Sequence, residues 1–424
     1  MNEIQKKQKI DKDNQKSLWT KNFTLMFTGT VLSGLGGVGM NVAMSVIVFD
    51  YTQSTFLTSL FTAILFIPVL VLPLFIGSIV DRQDPHKLLL KNETFLLGVY
   101  SLIFVFYYFF GFQYWPILIF FVFTSSFSLI SDLSSQTISA QLMPKHLMSQ
   151  GYSILSTIYP LCQVIVVPFA LYLYNTYGFA LLILIFIILS TCDLLLESQI
   201  KYDFTYDVDK GSSFKDTVMD MKEGFAYLKS NVPVFNVFKF FTVSTIASGS
   251  GSLLYPFFAS SSHLTIENYG LLMSITSMGY MFGGFFHYFV EIPKKKRYLV
   301  AISIYAMFII FESVFLFMPL LIMLLMKFMM GLGGMNSSNI RNTAVQASIE
   351  DIYRGKVNGV FAMMMGFANI VGNLLFGTLA EFIPIPVAII FAQSIYAVTL
   401  IVVALPRKYK LKELYNLELV VEKI

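Results

Sequence analysis

The chain has 424 residues, 56% of them hydrophobic and only 13% charged, with a formal net charge of +4. Its mean hydropathy is +0.70, whereas domains folded in water carry about a quarter charged residues; this excludes an ordinary soluble domain and implies a multi-pass membrane protein. The small charge argues against a nucleic-acid partner, and the two cysteines, Cys162 and Cys192, lie in apolar runs, so neither a disulfide framework nor a metal site is expected.

Residues 1–21 are polar and carry Lys6, Lys7, Lys9, Lys12, Lys16 and Lys21, with Trp19 at their end. They read as a cytoplasmic tail, partly disordered, with the tryptophan at the interface. No short apolar core followed by a small-residue cleavage site is present, so no cleaved signal peptide is expected. Twelve apolar runs follow. Spans 1 to 6 cover residues 22–50, 55–80, 88–111, 115–139, 149–175 and 178–198. Spans 7 to 12 cover 232–260, 267–291, 297–318, 320–345, 357–380 and 383–405. Each can cross about 30 Å of hydrocarbon. The expected organisation is a six-helix bundle over 22–198, a linker over 199–231, a second six-helix bundle over 232–405 and a cytoplasmic tail over 406–424.

The cations set the topology. Apart from Lys239 and Lys327, which lie within spans, every lysine and arginine falls in the N-terminal tail, in the 2–3, 4–5, 6–7, 8–9 or 10–11 connection with its flanks, or in the C-terminal tail, Lys423 at its very end. The connections on the other face are short and contain neither residue. Twelve spans with both termini cytoplasmic satisfy the positive-inside rule throughout. In the central linker, Phe214, Val218, Met221, Phe225 and Leu228 form an apolar stripe at helical spacing, with Lys215, Asp216, Asp220, Lys222 and Glu223 on the other face. Ser213 with Asp216 could cap this helix. It reads as an interfacial helix joining two halves, with a partner-binding role as the alternative.

The halves repeat. Gly77 answers Gly283, and Gln141 answers Gln346 at nearly the same offset. The 2–3 connection reads Gly77-Ser78-Ile79-Val80-Asp81-Arg82-Gln83-Asp84-Pro85-His86-Lys87. Asp81 can accept hydrogen bonds from a helix N-terminus. The spacing of Gly77, Asp81, Arg82 and the late cation Lys87 resembles the signature loop of the major facilitator superfamily, G-x-x-x-D-R-x-G-R-R/K; Asp84, Pro85 and His86 stand where the family has Gly, Arg and Arg/Lys. The second copy lacks the acid, having His287 there, but keeps the cluster Lys294-Lys295-Lys296-Arg297. Three further stretches resemble the macrolide-efflux and enterobactin-exporter branch. Val48-Phe49-Asp50-Tyr51-Thr52-Gln53-Ser54, with Pro68 and Pro73 beyond it, is similar to that branch's v-y-x-x-T-g-S segment. Gln141-Leu142-Met143-Pro144 with Tyr152-Ser153 is similar to its 4–5 loop. Gln346 with Arg354-Gly355-Lys356-Val357-Asn358-Gly359 is similar to its Q…R-G-R-V-x-G.

The resemblance implies an all-α polytopic fold of twelve transmembrane helices in two pseudo-symmetric bundles, working by alternating access about a midplane site. It further implies export of a hydrophobic or cationic, drug-like or macrolide-type small molecule, by proton-coupled antiport, in a bacterial plasma membrane. The partners would be the substrate, protons and the lipid bilayer; the protein would be a monomer without cofactor. Two departures bear on the antiport. The glycines of the family's span-5 motif G-x-x-x-G-P-x-x-G are absent around Pro160 and Pro168, and Gly36-Gly37 stand in span 1 where an acid is common in the branch. Gradient-independent import or uniport of a small metabolite is the first rival, and a receptor or lipid scramblase the second. No H-E-x-x-H, P-loop or nucleophile–base motif supports an enzyme or an ATP-driven pump.

Ionisable groups in hydrocarbon are costly, and each is a functional candidate. The resemblance places spans 1, 4, 7 and 10 around the cavity and 3, 6, 9 and 12 outside. Asp132, Lys239, Lys327 and Arg341 are then the central candidates. Asp132 could join a gating network with Arg82, carry the coupled proton, or be a structural acid; Arg341 would face the cytoplasmic gate. Lys239 and Lys327 could pair with acids or meet an anionic substrate, and Lys239 could snorkel. Asn41, Asn336 and Asn339 are expected on a water-filled cavity, since an amide facing lipid lacks partners. The glycines of spans 1, 7 and 10 are expected in helix packing. Glu93, Asp193 and Glu197, towards the cytoplasmic ends of outer helices, can snorkel, and with the deeper Glu312 of span 9 they are expected to have a structural or interfacial role. Most of the aromatic residues and methionines are expected to face lipid.

Overall fold

A computed structural model of the chain describes residues 17–72, 83–204, 214–289, 292–406 and 410–416. There is no strand among them. In a bilayer the backbone has no water to bond, so each span must satisfy its own N–H and C=O groups as a helix. Ten helices among the described residues are long and apolar enough to cross a membrane. Helices Thr55–Val71 and Ile266–Phe289 occupy the places of spans 2 and 8. Most helix ends lie within about three residues of the expected spans. Span 11 differs: its helix starts at Asp351, six residues early, because Arg354 and Lys356 lie on its first turns and project from its end.

Span 3 shows local sequence logic at a helix start. Its helix, Pro85–Phe110, is capped by Asp84, whose Oδ1 accepts from the N–H of His86 (3.0 Å) and of Lys87 (3.3 Å). Proline at the first helical position loses no bond. The residues that replace the family's Gly, Arg and Arg/Lys thus form a helix cap. Asn231, with Pro233 behind it, does the same for span 7 (Val232–Ser248), which continues as a 3-10 turn over Gly249–Leu253 and a short helix over Leu254–Ser260.

The chain divides into two compact units. The first comprises Met1–Met44 and Val71–Phe214, the second Ser45–Leu70 and Lys215–Ile424. Span 1, Lys21–Thr52, runs unbroken through the boundary at Met44. In the first unit, span 3 is tied to span 4 (Tyr114–Leu142) by the buried Asn92 amide, which donates to Phe127 O (2.8 Å) and Ser131 Oγ (2.7 Å). Span 3 meets span 6 (Phe179–Glu197) through Tyr100 and Phe186, with ring centroids 4.2 Å apart.

In the second unit, spans 8 and 10 (Leu320–Ala347) touch backbone to backbone. A Cβ on Gly331 would lie 2.2 Å from Thr276 O, and one on Gly279 2.2 Å from Phe328 O, so the crossing requires glycine on both sides. Phe238, Phe240, Tyr305 and Leu400 form a buried core with the short C-terminal helix Leu411–Tyr415, whose Leu414 and Tyr415 are fully buried. Part of the expected C-terminal tail is therefore packed into the fold. The linker stripe forms a helix, Phe214–Ser230. Its Tyr227 ring stacks on Tyr353 at 4.4 Å, and Lys356 bridges Asp220 and Glu223. The capping role expected of Ser213 and Asp216 lies outside what the structure describes. Large apolar side chains such as Leu102, Tyr108, Phe109, Ile165, Leu321 and Val398 are exposed on the spans, as lipid contact requires.

Candidate functional site

Gly77, Asp81 and Arg82 of the signature loop lie outside the described residues. Lys87 is described: its side chain is 84% exposed and 3.7 Å from Asp84.

In the second unit each inner cation of spans 7 and 10 has a local partner. Lys327 is buried, its Nζ 2.6 Å from Glu312 Oε1 of span 9 and 4.3 Å from the centre of the Phe315 ring. The pair removes it from the set of groups free to meet an anionic substrate, and gives Glu312 the structural role expected of it. Arg341 lies over the Phe241 ring at 4.3 Å and donates to Ser338 Oγ and Asn342 Oδ1. Lys239 is exposed, with its ammonium 4.1 Å from the centre of the Phe235 ring. Asn336 corrects an expectation. It is 3% exposed and its amide donates to Leu332 O (2.8 Å) and Gly283 O (3.3 Å), so it packs span 10 against span 8 and does not line a cavity. Asn339 is half-buried.

The motif stretches become contacts. Gln346 Nε2 donates to Asn358 Oδ1 (2.8 Å), and Arg354 bonds both Gln346 O and the Asp351 carboxylate. The Q…R-G-K-V-N-G stretch thereby clamps the end of span 10 to the start of span 11. The Val48–Ser54 stretch docks on span 11 and on the end of span 7. Tyr255 Oη donates to Asp50 Oδ1 (2.5 Å). Glu381 Oε1 accepts from Ser54 Oγ (2.7 Å), Thr55 Oγ1 (3.0 Å) and the Phe56 N–H (2.8 Å). Burial pushes the Glu381 carboxyl up, but these donors together outweigh it and hold the carboxyl below the usual carboxylate range. Gln53, where the branch has glycine, sits at φ 51° in the left-handed region.

In the first unit Asn41 is exposed on span 1. Asp132 is exposed on span 4 and has no hydrogen bond or ion pair among the described residues. Glu93, Asp193 and Glu197 do not snorkel. Asp193 and Glu197 are 2% and 3% exposed, and with Glu93 they form one carboxylate cluster. Sequence reasoning had one usable signal here: two acids four residues apart, on one face of a span that contains no lysine or arginine.

Ten apolar helices long enough to cross a membrane, among the described residues, make this a multi-pass membrane protein. The family model of the Major Facilitator Superfamily matches residues 26–351, and the chain belongs to that superfamily. No curated protein matches the chain significantly. Among solved structures, a mutant of the nucleoside transporter NupG is similar with a TM-score of 0.67 at 16% identity, covering 93% of this chain and 100% of its own. A POT family transporter in complex with a thioalcohol-conjugated peptide has a TM-score of 0.72 at 11% identity over 95% and 99% of the two chains. A D-xylose-proton symporter has 0.66 at 14% over 92% and 97%. At these identities the likeness is one of fold.

Proposed function

We propose that this transporter exports a hydrophobic or cationic small molecule, drug-like or macrolide-type, in exchange for protons entering across a bacterial plasma membrane. The observation that carries the reading is Asp132, an exposed acid within span 4 towards its cytoplasmic end and without a counter-ion among the described residues, while Lys327 is neutralised by Glu312 and Arg341 is covered by aromatic rings. An acid left available within a span attracts a proton or a cationic substrate, and binding one can depend on release of the other. Proton antiport needs no more than that competition. The motif resemblance to the macrolide-efflux branch supports the substrate class and the direction. The docking of Ser54, Thr55 and Phe56 on Glu381 supports a latch that must open and close during alternating access.

Proton-coupled or gradient-independent uptake of a small metabolite is the second reading; it draws on the D-xylose-proton symporter, similar in fold. The test uses purified protein in liposomes with an imposed pH gradient and a panel of lipophilic cations, macrolides and neutral apolar compounds. Gradient-driven flux of a panel compound is expected, abolished in Asp132→Asn with counterflow retained. Intact exchange in both proteins without any response to the gradient would remove the antiport and leave a facilitator.

A further inference from the structure

Glu93, Asp193 and Glu197 offer carboxylate oxygens that all lie within 4.8 Å of one another. Asp193 and Glu197 come from successive turns of span 6, and Glu93 from span 3. Among the described residues no lysine or arginine pairs with any of them; the ion pairs there lie elsewhere. Three carboxylates side by side in a membrane-embedded bundle repel one another and have lost their hydration, an arrangement that needs a compensating positive charge.

Two further observations point to a guest at this cluster. Asp193 Oδ1 and Glu197 Oε2 are buried without any hydrogen-bond partner, although buried polar atoms are almost always satisfied. Span 1 presents Gly29 to the same point: a Cβ there would lie 2.4 Å from Asp193 Oδ1 and 3.1 Å from Glu197 Cγ. The wall is bare helix backbone, and any other residue would fill the cradle. Below, the segment after span 6 closes the site. The His86 ring bonds Glu197 O at 2.9 Å, the Asn22 side chain bonds the Lys201 backbone in both directions, and Ile200 and Phe204 bury themselves against Met26 and Leu89.

We propose that this cluster is a binding site for a hard divalent cation of calcium size, held by Glu93, Asp193 and Glu197. The donor set is all oxygen, which selects hard cations over zinc or copper. The oxygens all lie within 4.8 Å of one another, close enough to share one ion; calcium accepts irregular oxygen geometry, whereas magnesium demands a near-ideal octahedron and keeps several of its waters, so a largely buried carboxylate cluster suits the larger ion. A divalent ion leaves one negative charge in the cluster and a monovalent ion leaves two, so charge favours the former. The ion would fasten spans 3 and 6 together against the face of span 1.

The experiment is equilibrium dialysis of the purified full-length protein against radioactive Ca2+, with thermal unfolding in Ca2+ and in EDTA. One saturable ion per chain is expected, together with a Tm that rises with Ca2+ concentration. Glu197→Gln and Asp193→Asn should weaken binding at least tenfold and abolish the Ca2+-dependent rise in Tm. Glu93→Gln, at the half-buried edge, serves in their place if those variants do not fold. Absence of saturable Ca2+ binding to the wild type would overturn the site, leaving carboxylates neutralised by protons alone. Binding unchanged in the variants would overturn the assignment to these residues, and displacement by equimolar Na+ would overturn the divalent reading.

Discussion

The two units treat acidic groups in opposite ways. In the second, each structurally engaged acid has a donor: Glu312 has Lys327, Asp50 has the Tyr255 hydroxyl, Glu381 has the start of span 2, and Asp220 and Glu223 share Lys356. In the first, Glu93, Asp193 and Glu197 are placed against one another, and two of their oxygens have no hydrogen-bond partner among the described residues. Desolvation acts on both units alike; what differs is where the compensating charge originates. The second unit carries it in its own side chains, so its acids are part of the scaffold. In the first, under the proposed cation site, it would come from a bound ion.

The strongest way to break this contrast is to remove the cation of the second unit. Lys327→Met leaves the half-buried Glu312 without its cation and should cost about 3 kcal/mol, the lower end for an orphaned partner of a buried pair. Most of that loss should return in the double variant Lys327→Met with Glu312→Leu, read by thermal unfolding in detergent. A single-variant loss well under 1 kcal/mol would show that the pair is not what neutralises Glu312. Removing charge from the three-carboxylate cluster should act in the other direction in EDTA, because there a substitution relieves repulsion.

A smaller effect is expected at Glu381. Glu381→Gln weakens a charge-assisted cap on span 2 and should lower stability by about 1 kcal/mol at neutral pH. The sign of its pH dependence follows from the depressed carboxyl. The stabilisation is fully present above the unfolded-state value, about 4.3, and is lost as pH falls through the lower folded value. The Tm difference between wild type and variant should therefore be constant from neutral pH to about 5 and close at still lower pH. A difference that persists undiminished in acid would exclude the ionised carboxylate as its source.

The smallest change sharpens the same contact. Gln53 holds the left-handed turn that presents Ser54 to Glu381. Gln53→Gly should raise stability by about 0.5 kcal/mol, since relief of the strain exceeds the entropy that glycine costs. A decrease in Tm would mean that the bond from the Gln53 amide to Asp50 O, at 2.9 Å, outweighs the strain.

Much of this architecture is legible in the linear chain. A span is a local property: some twenty apolar residues suffice to predict it, and helix ends fall where Asp84-Pro85 or Asn231 cap them. The Gln346 and Arg354 motif and the Val48–Ser54 stretch were also visible as patterns, although their chemistry, a clamp between spans 10 and 11 and a docking onto Glu381, was not. Asn336 was misread because an amide in an apolar helix has two outlets, water or a neighbouring carbonyl, and only the close glycine-mediated approach of span 8 decides for the carbonyl.

The sequence by itself determined that the protein crosses the membrane many times, which superfamily pattern it carries, and which of its residues are ionisable within the spans. These follow from composition, spacing and the cost of charge in hydrocarbon, none of which needs a third dimension. The tertiary structure decided which charges neutralise which. Lys327 and Glu312 sit fifteen residues apart on different helices, and Glu93 joins Asp193 and Glu197 from a hundred residues away. Whether two such groups meet depends on the rotation of each helix about its axis and on where a glycine such as Gly29 lets backbones close in, and those are set by packing rather than by any local run of residues.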